Sequence, residues 1–115
     1  MNYKVFRRLK DGRLVSSFAS NGKTGDLCQP MLEYHPNRIR SISKKTAGAF
    51  YAASEHEAAS IIMGSVNLSG KFATAKVEVY EITVITKAPH LYGTIPDCLN
   101  AYTIRVGKRR KDLEP

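Results

Sequence analysis

Apolar and polar positions along the chain fall mostly into short alternating runs, broken once by a helical period. Residues 3–9 and 14–20 alternate as two strands, and Asp11-Gly12 between them suits a two-residue type I′ turn. That turn sets Leu9 opposite Leu14, Arg7 opposite Ser16 and Val5 opposite Phe18. Val5, Leu9, Leu14 and Phe18 then share the expected core face, with Lys4, Phe6, Arg8, Val15 and Ser17 on the other. Residues 19–26 are a loop by composition, and residues 27–34 are a short strand or turn interrupted by Pro30. His35-Pro36-Asn37 reads as a turn. Residues 38–43 carry Ile39 and Ile42 out of phase by one, which fits a bulged strand or a loop.

The chain is organised around residues 48–64. Ala49-Phe50-Tyr51-Ala52-Ala53 is an apolar run of strand length, and Ser54-Glu55-His56-Glu57 follows it as a Ser-x-x-Glu capping box. The serine hydroxyl takes a free amide of the first turn, and the carboxylate reaches back to the amide of the cap residue. Ala58, Ile61 and Ile62 then stand at i, i+3 and i+4, one apolar stripe of a helix that Gly64 should stop. Residues 72–86 form the longest strand candidate. Their apolar phase runs through Val77 and Val79 and then shifts to Tyr80, Ile82 and Val84, which a bulge or burial of both faces explains. Residues 87–100, with Pro89, Gly93 and Pro96, read as an irregular excursion, and residues 101–106 as a last strand. The expected fold class is α+β: a small, twisted, mainly antiparallel sheet with one principal helix, about residues 55–63, packed on it. Residues 1–106 form the single globular domain, and residues 107–115 a frayed basic tail.

Charge changes the picture most. Eighteen Lys and Arg against ten Asp and Glu give a net +8. Residues 1–48 carry ten of the basic and three of the acidic side chains, residues 49–104 three and five, and residues 105–115 five and two. A domain basic at both ends of its sequence and slightly acidic between them points to a polyanion-facing side. The residues that would form it are Lys4, Arg7, Arg8, Lys10 and Arg13 on the hairpin, Arg38, Arg40, Lys44 and Lys45 before the central strand, and the tail Lys108-Arg109-Arg110-Lys111. Tyr3, Phe6 and Tyr34 lie among them as candidate stacking surfaces for a base.

Other chemistry is thinner. Cys28 and Cys98 lack a CxxC spacing, and His35, His56 and His90 lack metal-ligand spacing, so no metal is expected. Gly22-Lys23-Thr24 has Ser17 where a phosphate-binding loop needs its first glycine. No apolar run nears the roughly 20 residues that span a bilayer, and the N-terminal residues lack a signal-peptide core. A cytoplasmic protein without membrane contact is expected.

The segment Gly48-Ala49-Phe50-Tyr51-Ala52-Ala53-Ser54, with Ala58 behind it, resembles the strand-then-helix of the ADP-ribosyltransferase superfamily. The resemblance covers residues 34–85 and departs from the family pattern at Pro36, which follows His35 where glycine is usual. It implies NAD as cofactor, with His35 holding the nicotinamide ribose and Tyr51 stacking on nicotinamide. Glu78 or Glu81 would stabilise an oxocarbenium-like transition state.

Three functions are therefore open. The first is a non-catalytic basic binding protein, without a cofactor, that engages nucleic acid or a phosphorylated nucleotide. The second is an ADP-ribosyltransferase-like domain that binds NAD. The third is an interaction module or inhibitor that docks an acidic protein partner.

Overall fold

The computed structural model describes residues 1–16, 33–44, 48–67, 76–88 and 99–115. Strand β1 (Asn2–Arg8) is followed by β2 (Leu14–Ser16), β3 (Glu33–Tyr34), β4 (Ile39–Ser41) and β5 (Ala49–Tyr51). Helix α1 (Glu55–Asn67) precedes the two long strands β6 (Lys76–Lys87) and β7 (Leu99–Arg109), and a 3-10 turn spans Lys111–Leu113.

All pairings are antiparallel, in the order β3-β2-β1-β6-β7-β4, with β5 joining β7 further along the edge that β4 uses. Tyr3 and Ala52 exchange both backbone hydrogen bonds at 2.8 Å, so the end of β5 also reaches β1. The sheet thereby closes on itself at one end, while β3 and β4 terminate its path and leave a seam between them. This corrects the α+β expectation. The described chain is mainly an antiparallel sheet rolled into a nearly closed barrel, with a single short helix against its wall. The helix was legible, but the closure depends on β5 being shared between β7 and β1, which no local pattern reports.

Two cores follow from this geometry. Phe6, Leu14, Tyr34, Tyr51, Tyr80 and Ile104 fill the barrel with their neighbours. Tyr3, Val5, Phe50 and Val79 face outward and are covered by Ala58, Ile61 and Ile62 of α1, with Leu113 packed alongside. Both faces of β1 and β6 are thus apolar, as expected of strands covered on two sides. The phase shift in β6 coincides with a register irregularity between Tyr80 and Ile82. Residues 72–75, the start of the expected strand, lie outside the described residues.

Three local expectations change. The hairpin pairs Phe6 with Ser16, Arg7 with Val15 and Arg8 with Leu14, one step from the expected register. Its loop is one residue longer than a type I′ turn. Leu9 N–H donates to the Arg13 carbonyl, Gly12 N–H donates to the Leu9 carbonyl, and Gly12 sits at φ +91°. That is a three-residue loop with a left-handed glycine, and the one-step shift turns Leu14 to the same face as Phe6 and Arg8. Gly64 lies inside α1 rather than ending it; glycine's penalty in a helix, about 1 kcal/mol, is outweighed by the buried stripe. Finally, β7 runs on through Arg109, and Leu113 and Glu114 dock onto the barrel.

The capping box forms. Ser54 Oγ accepts from the Glu57 amide at 3.1 Å, and Glu57 Oε2 accepts from the Ala53 amide at 2.7 Å, one residue before the cap. Among the described residues no helix is long and apolar enough to cross a membrane.

Candidate functional site

The expected basic face is divided by the fold. Lys4 and Arg7 point to opposite sides of β1, and each is 1% exposed. Lys4 lies inside the barrel, where Nζ donates to the Phe50 carbonyl at 2.7 Å and to Ser16 Oγ at 3.3 Å. Its ammonium also lies 5.5 Å from the Phe6 ring centre and 5.8 Å from that of Tyr34, within cation–π range. Burial on the other side pulls the Arg7 guanidinium below its ordinary value. Arg8 closes one end of the barrel. It grips Glu78 through Nε at 3.1 Å and Nη2 at 3.0 Å, and Nη2 also reaches the Tyr80 hydroxyl at 3.3 Å. These three hairpin cations are committed to the fold.

Glu78 is the carboxylate at the centre of that cluster, 2% exposed. Burial alone would raise its pKa. The Arg8 guanidinium and the Tyr80 hydroxyl, which donates at 2.7 Å, more than offset this and leave it below the ordinary value. Arg109 stands 3.7 Å from Glu78 and holds Glu114 through two hydrogen bonds of 2.9 and 2.7 Å. Arg110 binds Asp112 and Glu55 and lies 3.2 Å from Glu81. The acidic side chains of the α1 and C-terminal side are therefore largely taken up by Arg109 and Arg110.

The remaining cations lie along a different path. Leu14 pairs with Tyr34, so the next step of the same ladder sets Arg13 at the level of His35. The hairpin tip, with Lys10 and Arg13, thus adjoins the turn that leads to Arg38. Arg38 is fixed by its carbonyl, which accepts from Val106 N at 3.1 Å, and the register then sets Arg105 opposite Ile39 and Ile104 opposite Arg40. Lys44 follows just beyond β4, its carbonyl accepting from the Tyr102 hydroxyl at 3.4 Å. Ser41 and Thr103 bring their hydroxyls within 3.4 Å of each other on the same pair of strands as Arg105. The strip so formed runs from the hairpin tip, round the turn and along β4.

Arg13 is held by Asp11 at 2.8 Å, and Glu33 approaches His35 at 3.7 Å. Arg38, Arg40, Lys44 and Arg105 have no ion-pair partner among the described residues. The Nε of Arg40 is buried and finds no hydrogen-bond acceptor there. Burial raises the Tyr34 hydroxyl well above its ordinary value, and the charge of Arg40 partly counteracts this. Lys45 lies outside the described residues.

Arg105 was missed by sequence reading. Ile104 and Val106 on either side of it are buried, so strand alternation would have turned it outward, but its partner strand was not legible. The candidate stacking aromatics are absorbed by packing. Phe6 lies 5.0 Å from Tyr34 and 5.5 Å from Tyr80, and Tyr3 is also buried.

The residues implied by the ADP-ribosyltransferase resemblance are not brought together. His35 is exposed at the turn, Tyr51 is sealed inside the barrel, and Glu81 lies on the α1 side against Arg110. Glu78 shares the barrel interior with Tyr51 but is bound to Arg8. Among the described residues no three His, Cys, Asp or Glu gather so as to hold a metal ion. Comparison with protein-family models, curated proteins and solved structures returns no match. The functional argument therefore rests on geometry and charge.

Proposed function

We propose that this is a non-catalytic binding protein that engages a polyanion, a nucleic acid or a phosphorylated nucleotide, through the strip along the turn and β4. The observation that carries the reading is the division of the charges. Arg8, Arg109 and Arg110 are matched by carboxylates, whereas Arg38, Arg40, Lys44 and Arg105 lie on or beside the β4–β7 ladder with no acidic partner among the described residues, Arg105 on the outer face with Ile39 and Arg40, half-buried, on the face of Ile104. Cations left unmatched at a surface keep their full attraction for phosphate. The Ser41 and Thr103 hydroxyls, on the same face as Arg105, suit phosphate oxygens as well.

The test is fluorescence anisotropy with a single-stranded oligonucleotide across a salt series. Arg38→Glu combined with Arg105→Glu should weaken binding about tenfold or more and reduce the slope of log affinity against log salt by roughly 1–2. Lys111→Glu, on the C-terminal side, should leave both nearly unchanged. Affinity that ignores salt and the double charge reversal would rule the reading out.

A further inference from the structure

Among the described residues the seam of the barrel is bordered by the outer edges of β3 and β4, and the residues of β4 define what fits along its edge. Toward β7, β4 uses the Arg38 carbonyl, the Arg40–Ile104 pair and the Ile42 amide, which donates to the Tyr102 carbonyl at 2.7 Å. Backbone groups alternate sides along an antiparallel strand, so the N–H and C=O of Ile39 and Ser41 point away from β7. β4 ends the strand path, and among the described residues nothing pairs with that outer edge. Ile39 is 58% exposed. Such an edge is a template for another extended chain.

We infer that the free edge of β4 docks an extended acidic segment of a protein partner, added as a further strand. Period-two alternation puts Arg38 and Arg40 on one face of this edge and Ile39 and Ser41 on the other. A strand laid alongside brings its own alternate side chains to within roughly 5 Å of these neighbours. The matching sequence therefore alternates carboxylates, set beside Arg38 and Arg40, with apolar β-branched residues, set beside Ile39. A second copy of this chain fits poorly. Edge-to-edge pairing of two β4 strands stacks their arginines on one another, in a molecule of net charge +8.

The inference rests on the reading of Arg38 and Arg40 as ligand-facing cations, and adds that the ligand's backbone is recognised. The probe is a capped heptapeptide of alternating Glu and Val, in three forms: unmodified, N-methylated at the Glu residues, and N-methylated at the Val residues. An added strand presents only one of these two sets of amides to β4. One methylated form should lose at least tenfold in affinity and the other should bind as the unmodified peptide does. The Ile39 and Ser41 amides should become protected from hydrogen exchange on binding. Ile39→Pro removes an outward N–H at the first residue of an edge strand and should weaken the peptide without altering oligonucleotide affinity.

Equal tolerance of both methylated peptides would overturn the inference, since attraction would then be by charge alone. Protection of Ile39 and Ser41 that grows with protein concentration, without peptide, would overturn it in favour of self-pairing. Oligonucleotide binding without peptide binding retires the edge and keeps the strip. One-sided sensitivity to methylation without oligonucleotide binding upholds the edge and retires the nucleic-acid reading.

Discussion

Gly12 and Gly48 both sit at positive φ, +91° and +81°, yet a methyl group added to each meets different surroundings. At Gly12, the tip of the β1–β2 loop, nothing lies within 4 Å of the new atom. The cost there is the left-handed backbone alone, about 1 kcal/mol for Gly12→Ala. At Gly48 the same atom would stand 2.7 Å from the Ala101 carbonyl oxygen, a backbone atom of β7 that cannot move without disturbing the Ala49–Ala101 pair. Gly48→Ala should therefore cost about 2–4 kcal/mol, the left-handed penalty plus an overpacking term. Urea titrations of the two variants decide this, and equal costs would contradict the close approach of β5 to β7. Lys4 belongs to the same scale. Its hydrogen bonds to the Phe50 carbonyl and Ser16 Oγ let a cation sit inside the barrel, where an unsolvated ammonium would otherwise be expensive.

What could be read at the scale of the element was whatever neighbouring residues decide by themselves. The start of α1 is written in Ser54 and Glu57, four residues apart inclusive, and its buried stripe in Ala58, Ile61 and Ile62. Ser54→Ala should cost about 1 kcal/mol, because the Glu57 amide loses its acceptor. Restoration by Ser54→Asp, which supplies an acceptor and a favourable charge at the helix N-terminus, is the check on that cause. The positions of β1, β2, β5, β6 and β7 were legible for the same local reason, whereas β3 and β4 fell in stretches that fitted a strand or a turn or loop equally well. The β1–β2 register was not legible, because one residue in the loop separates two turn types and reverses which face of β2 is inside. Nor was the burial of Lys4 and Arg7, or the pairing of Arg8 with Glu78. In a strand covered on both sides, alternation no longer separates core from solvent, and the partner that draws Lys4 inward, Phe50, is 46 positions away. Arg38, Arg40 and Lys44 were visible as cations, but Arg105 joined them only through the β4–β7 ladder.

Over the whole molecule, the carboxylates that hold the barrel end and the C-terminal turn set how stability responds to acid. Glu78 and Glu114 both lie below the ordinary glutamate value of 4.5 in the folded chain. For each, burial works the other way and is outweighed, at Glu78 by Arg8 and Tyr80, and at Glu114 by Arg109 and the Val79 amide. The unfolded chain therefore binds more protons than the folded one in this range, so stability rises with pH there. Their contribution is complete above about pH 4.5, declines as the pH falls below that value, and is gone once both folded-state values are passed. Burial raises Tyr34, Tyr51 and Tyr80 above 10.0, which gives the opposite sign at the alkaline end: stability is lost as the pH rises past that point. Glu78→Gln should lower stability at pH 7 by about 2–3 kcal/mol. That is less than for a wholly buried pair, because the Arg8 side chain stays 33% exposed and keeps part of its hydration. The same substitution removes a group whose protonation destabilises the native protein, so the loss of Tm between pH 7 and pH 3 should be shallower than in the parent. Parallel Tm profiles, displaced but equal in slope, would show that Glu78 contributes packing and hydrogen bonds without the charge pairing assigned to it.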